Sequence, residues 1–241
     1  MWPFSSSTTL GDCVLRNQFV EYHCHLLPGV DDGARTMEES LRMLRLYEEW
    51  GIRKVWLTPH IMEDFPNTVE RLSRRLDELK AAYSGPVELR LAAEHMLDGL
   101  FNERLSQGQL LPLGEEKRYV LVETSYFNPP YGMNDFLDRI KSAGYIPLLA
   151  HPERYMYMDE REYKRLHEER IAFQLDLFSL VGGYGSEARR RAEWLLKQGY
   201  YLICGTDMHR QALSHPDLWQ QKLPKKVALR VGELVRKKLE E

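Results

Sequence analysis

The chain has 241 residues, 43% hydrophobic and 29% charged, and its 33 Lys and Arg against 36 Asp and Glu leave a formal net charge of −3. These values exclude a disordered, collagen-like or membrane-embedded chain, and the near-neutral charge argues against a protein built to grip nucleic acid. No apolar run approaches the roughly 18 residues of a membrane helix. Cys13, Cys24 and Cys204 cannot build a disulfide framework, so a cytoplasmic location is expected.

Met1 to about Arg16 reads as an N-terminal tail with no basic start for a secretory signal; Trp2 and Phe4 are free to dock on the body. Phe19–Tyr22 is the first predicted strand. Thr36 and Glu39 form a capping box that opens a helix with an apolar stripe through Met43, Leu44, Tyr47 and Trp50, stopped at Gly51. Lys54–Thr58 is a strand. Val69, Leu72, Leu76, Leu79 and Tyr83 mark one face of a second helix, closed by Gly85 and Pro86. Strands follow at 87–93, 119–123, 146–150, 172–176 and 201–205, with helices around 136–143, 163–169 and 186–198 and a basic amphipathic helix from about Pro224. Such alternation implies parallel strands joined by right-handed crossovers. About seven strands in this length suggest one α/β domain, residues 17–241, closed or nearly closed into a barrel.

In such a barrel the loops leaving the strand C-termini form the rim where active sites are built. His23, His25, Asp31 and Asp32 follow the first strand, and His60, Glu94, Glu123 and His151 end later ones. Asp207 and His209 follow the last. His23 and His25 are two apart, so on an extended chain both imidazoles point to one face while Cys24 points into the wall. Asp207 and His209 repeat that arrangement. Burying so many carboxylates without cations is costly. A mixed imidazole and carboxylate set suits Mn, Fe, Zn or Mg, and there are too many ligands for a single ion.

The stretches HCHLLPGVDDGA, TPH, AAEHMLD, LVE, AHPERY and GTDMH, in this order, resemble the polymerase and histidinol phosphatase (PHP) superfamily over roughly residues 19 to 210. Within it they resemble the bacterial CpsB/CapC-type protein-tyrosine phosphatases of capsule and exopolysaccharide synthesis. The resemblance implies a distorted (β/α)7 TIM-like barrel with three divalent ions, manganese foremost. It implies His23, His25, Glu94 and Asp207 at the first ion and Glu94, Glu123 and His151 at the second. Asp32, His60 and His209 would hold the third. Arg154 matches the arginine that binds substrate phosphate, with Asp207 and His209 beside it in the catalytic set. The implied partner is a bacterial tyrosine kinase carrying phosphotyrosine. Two positions depart from the pattern: Glu21 where Asp is common, and His95 where Tyr is frequent.

Weaker features keep two readings each. Tyr126, Phe127 and Tyr131 form either an apolar rim for an aromatic substrate, with Tyr126 touching it, or ordinary loop packing. The loop FSLVGGYG (178–185) lets backbone N–H groups approach phosphate or is a plain turn. Arg189, Arg190 and Arg191 are a solvated helix face or a lure for an acidic tail. Glu63 and Asp64 are candidates for a general acid. Cys204 and Arg210 have the spacing of cysteine-dependent phosphatases, but Asp207 between them would repel a phosphate from that cradle. The alternatives to a phosphotyrosine-protein phosphatase are a small-molecule phosphoesterase, such as a histidinol-phosphate phosphatase, and a non-catalytic, metal-retaining partner of the polysaccharide machinery.

Overall fold

The structure is a computed structural model that describes residues 8–116, 118–209 and 216–239. In chain order the elements are β1 (Thr8–Thr9), α1 (Leu10–Leu15), β2 (Glu21–Cys24), α2 (Met37–Glu49), β3 (Lys54–Leu57), β4 (His60–Ile61) and α3 (Val69–Ala82). Then come β5 (Glu88–Leu91), β6 (Glu94–Met96), α4 (Gly99–Ser106), β7 (Tyr119–Glu123), α5 (Met133–Ser142), β8 (Ile146–Ala150) and α6 (Glu160–Glu168). The chain continues through β9 (Ala172–Asp176), α7 (Gly185–Gln198), β10 (Tyr201–Gly205), α8 (Pro216–Gln220), β11 (Lys222–Leu223) and α9 (Lys225–Val235).

The fold is α/β with parallel sheets: six strands in the order β10-β9-β8-β7-β6-β4 and three in the order β2-β3-β5. The two sheets meet where the Asp207 N–H donates to the His23 carbonyl at 2.8 Å and the His25 N–H to the Met208 carbonyl at 2.9 Å. On the other side, the Ala92 N–H reaches Leu57 O at 2.9 Å and the Glu94 N–H reaches Pro59 O at 3.2 Å. Both faces of the strands are covered, as crossover helices require. Val120, Val122, Leu149, Phe173 and Leu175 join the large core under the helices, whereas Tyr22, Trp56, Leu121, Leu148 and Ile203 form a smaller cluster on the opposite face. Among the described residues no helix is long and apolar enough to cross a membrane.

Several expectations need adjusting. The strand expected at 87–93 is two short strands, because the chain turns between Leu91 and Glu94 to move from one sheet to the other. The Thr36 hydroxyl accepts from the Glu39 N–H at 3.2 Å, but the Glu39 carboxylate reaches back to the N–H of Arg35 instead of Thr36. Residues 8–16 belong to the body and not to a tail. Thr9 caps α1 by accepting from the Asp12 N–H, Leu10 and Val14 are fully buried, and β1 pairs antiparallel with β11. Trp2 and Phe4 lie outside the described residues. Leu10→Ala is therefore expected to lower stability by about 2–5 kcal/mol, where an exposed tail residue would change it by less than about 0.5. The check is the urea midpoint at unchanged slope.

Candidate metal centre

The groups of the centre stand at strand ends and in the loops that follow them, with His60 and Glu94 opening the short strands β4 and β6. A register shift between Glu21 and Cys24 interrupts the pairing of β2 with β3. Across this irregularity Tyr22 joins the smaller apolar cluster and Cys24 the large core although they stand two apart, while His23 and His25 keep a common face and meet, Nε2 to Nε2, at 3.3 Å.

Three overlapping groups result, in each of which the ligand atoms lie within 4.8 Å of one another: His23, His25, Glu94 and Asp207; His60, Glu94 and Glu123; and His25, Asp32, His60 and His209. In the first, His23 Nε2 is 3.1 Å from Glu94 Oε2 and 3.3 Å from Asp207 Oδ1, and His25 Nε2 is 3.1 Å from Asp207 Oδ1. His60 Nδ1 lies 3.2 Å from Glu94 Oε2 and 3.0 Å from Glu123 Oε1. His209 Nε2 is 3.2 Å from Asp32 Oδ1. The first group is the expected four residues, and Asp32, His60 and His209 gather as expected with His25 added. His60 takes the place beside Glu94 and Glu123 where His151 was expected. His151 touches the other oxygen of Glu94, Nε2 to Oε1, at 3.0 Å.

These residues fit divalent ions. Glu94 Oε2, Glu123 Oε1, Asp207 Oδ1 and His60 Nδ1 are buried without a hydrogen-bond partner, although His60 Nδ1 lies within 3.2 Å of the Glu94 and Glu123 oxygens and Asp207 belongs to the group of Glu94. Their lone pairs converge on shared space in place of satisfying one another, which is costly unless positive charge sits between them. Burial alone would lower the His23 imidazole, yet Glu94 and Asp207 hold it up at about 9. Burial likewise opposes ionised Glu94, and His23 and His151 bring it well below the usual carboxylate range. The carboxylates thus demand cations, which protons or metal ions can supply.

The far nitrogens are held from behind. His23 Nδ1 pairs with Gln174 Oε1 at 3.0 Å and His25 Nδ1 with Asp31 Oδ2 at 2.9 Å, leaving each Nε2 facing the centre, as metal-binding imidazoles require. Glu21 Oε1 accepts from the N–H groups of His23 and Thr206, both at 3.0 Å, and Oε2 from the Thr206 hydroxyl at 2.6 Å, tying the first strand to the last beside Asp207. His151 (φ 33°) and Asp207 (φ 48°) hold left-handed backbone that branched or bulky residues avoid, a strain found at functional sites.

Arg154 sits beside this cluster. One nitrogen, Nη1, donates to Asp207 Oδ2 and reaches Asp176 Oδ2 at 3.5 Å; Nη2 donates to the Tyr126 hydroxyl at 2.7 Å. The guanidinium carbon lies 4.7 Å from the centre of the Tyr126 ring and 4.0 Å from that of Tyr184. A cavity of about 790 Å³ is lined by Asp32, His60, Glu94, Glu123, His151, Asp207, His209, Arg154 and Tyr126, with Phe65, Phe178 and Tyr184 among its apolar walls.

Gln174, Asp176 and Tyr184 were missed as site residues. The buried polar residues Gln174 and Asp176 in an otherwise apolar strand were the available signal. His95 points away from the centre: its Nε2 accepts from the Leu111 N–H at 3.4 Å, and burial holds it neutral at about 3. Glu63 and Asp64 are exposed and outside the described cavity lining. Phe127 and Tyr131 are 66% and 103% exposed. Arg189 and Arg190 pair with Glu193 and Glu187, and Arg191 donates to the Tyr155 carbonyl at 2.8 Å. Cys204 is buried away from the described lining, and burial pushes its thiol far above the range of a reactive thiolate. Arg210 lies outside the described residues.

Parallel strands that deliver imidazoles, carboxylates and an arginine to a common cavity define an α/β protein of the metal-binding hydrolase type. More narrowly, the chain belongs to the CpsB/CapC family of capsular polysaccharide synthesis, whose model matches residues 19–240. It is 28% identical over 196 residues to tyrosine-protein phosphatase YwqE of Bacillus subtilis, covering 79% of this chain and 77% of that protein. It is 25% identical over 225 residues to tyrosine-protein phosphatase CpsB of Streptococcus pneumoniae, covering 84% and 87%. Among solved structures, a chain from the work on YwqE and CpsB as unique metal-dependent tyrosine phosphatases superposes with a TM-score of 0.73 at 24% identity, covering 92% of this chain and 96% of that one. A lactonase from Listeria monocytogenes shares the fold alone, with a TM-score of 0.50 at 10% identity over 88% of this chain and 84% of that one.

Proposed function

We propose that the protein is a metal-dependent phosphoric monoester hydrolase that removes phosphate from phosphotyrosine in a bacterial tyrosine kinase of the polysaccharide machinery, in the cytoplasm. The carrying observation is the junction of three overlapping ligand groups with the guanidinium of Arg154 in one cavity. The family match and the names of the relatives support the substrate class. The bonds from Asp207 to His23 and from His25 to Met208 support closure of the sheets into a distorted seven-stranded barrel.

Three divalent ions, manganese foremost, would be held by His23, His25, Glu94 and Asp207, by Glu94, Glu123 and His151, and by Asp32, His60 and His209, so that each imidazole gives its one lone pair to one ion. Bound there, such ions supply Lewis acidity and a nucleophile at neutral pH by lowering the pKa of water from 15.7 towards about 7. The chain's own groups do the rest. Arg154 presents a planar fork to the non-bridging phosphoryl oxygens. Asp207 Oδ2 and the Tyr126 hydroxyl orient that fork, with Tyr126 forming the substrate's near wall. His209 Nδ1 bonds to the carbonyl of Asp207 at 3.0 Å, which turns its Nε2 towards Asp32 at the mouth. A tyrosine leaving oxygen, with a pKa of about 10, needs less protonation than an alkoxide.

The test compares manganese-loaded and chelated protein on a phosphotyrosine peptide and on histidinol phosphate. Chelation is expected to remove phosphate release and readdition to restore it, with the peptide preferred. Full activity without metal overturns the mechanism, faster turnover of histidinol phosphate moves the substrate to a small molecule, and metal-loaded protein inert on both is a non-catalytic partner.

A further inference from the structure

Tyr184 lines the same cavity as Arg154 and keeps 39% of its surface exposed. Its position is set by the glycines around it. Gly182 ends a 3-10 turn (Leu177–Val181) at φ +82°, and Gly185 opens α7 at φ +91°. Gly183 lies so near Phe178 that a Cβ there would stand 3.1 Å from its carbonyl oxygen. The aromatic ring is thereby placed 4.0 Å from the guanidinium carbon of Arg154.

Tyr126, the other ring beside Arg154, is already engaged. Its hydroxyl accepts from Arg154, and its ring packs at 5.8 Å from His151 and 6.1 Å from Tyr155. Among the described residues no other aromatic ring packs against Tyr184, and Phe178 and Leu218 extend its apolar wall along the cavity. In an aryl phosphate a single ester oxygen separates phosphorus from the ring. A phosphate held by Arg154 therefore leaves that ring within the roughly 4.5–7 Å over which aromatic pairs attract.

We propose that Tyr184 is the specificity-determining residue for an aromatic phosphoester, packing against the ring of the leaving group while Arg154 holds its phosphate; this rests on the phosphoesterase reading above. The role of Tyr126 is then to position Arg154. An aromatic pair of this kind is worth about a 3- to 10-fold preference.

The experiment measures kcat/KM of the manganese-loaded protein on phenyl phosphate and on glycerol 2-phosphate. Calorimetry with phenylphosphonate and methylphosphonate reads the same preference without turnover. Tyr184→Ala is expected to lose about 3- to 10-fold more on the aryl than on the alkyl ligand, chiefly in KM, and Tyr184→Phe, which keeps the ring, to restore the ratio. Equal losses on both ligands, or failure of Tyr184→Phe to restore the ratio, overturn this inference alone. Absence of phosphate release from either ester by the unsubstituted protein overturns the phosphoesterase reading and this inference with it.

Discussion

Glu94→Gln is expected to cost the protein more than about 100-fold in metal affinity and nearly all of its phosphate release. Outer hydrogen-bond partners of a metal site typically contribute 10–100-fold, and Glu94 is more central than these. One carboxylate oxygen faces His23, His25 and His60, at 3.1, 3.4 and 3.2 Å, and the other meets His151 at 3.0 Å. The amide keeps the shape but removes the negative charge, and its NH2 group cannot accept or ligate. Metal content per chain and the rise in unfolding temperature on adding manganese read the effect without turnover, because a ligand that binds only the folded state stabilises it by RT ln(1 + [L]/Kd), so weaker binding gives a smaller rise. Retained metal and an unchanged temperature rise would remove Glu94 from the centre.

Arg154→Lys is expected to retain bound metal yet lower kcat/KM by about 10²–10³, or about 3–4 kcal/mol, the range measured when one preorganised donor to transition-state charge is removed. The reason is geometric. Arg154 is mostly buried, its fork already points along Asp207, Asp176 and the Tyr126 hydroxyl, and lysine is a point charge on a flexible stem that cannot present two parallel donors. Arg154→Met removes the charge as well and takes the guanidinium from Asp176 and Asp207, but His23 and His25 still face Asp207 and burial already favours the neutral form of Asp176. The stability loss in metal-free protein is therefore expected to stay below the roughly 3–5 kcal/mol of a fully broken buried pair. Phosphate-release kinetics beside metal analysis separate the two effects. Loss of metal in the lysine variant would make Arg154 a structural support of the centre instead of a phosphate-binding group.

Much of this was legible because it depends on spacing along the chain. The same-face relation of His23 and His25 follows from the two-residue period of a strand, and the burial of Cys24 in the opposite core is its consequence. The stripe Met43, Leu44 and Tyr47 follows from the helical period, and those residues are buried in α2. Short elements were not legible. The two residues of β4 that carry His60, and the six of α1, are too brief for periodicity to register, and their places come from partners far along the chain, Glu94 for β4 and α9 for α1. Gln174 reads as an oddity in a strand until His23 is placed 3.0 Å away. Tyr184 reads as part of a glycine turn until Arg154 lies beneath its ring.

The sequence by itself determined that strands and helices alternate, that nine side chains able to ligate a metal stand at or beyond predicted strand ends, and that Arg154 follows one of them. These are local properties, set by side-chain chemistry and by the periods of extended and helical backbone. Tertiary structure decided which of these side chains come together: His60 beside Glu94 and Glu123, with His151 on the far oxygen of Glu94. It also decided which polar groups stand behind them. Both depend on how strands from distant parts of the chain align in register, and a shift of one residue turns a side chain to the other face.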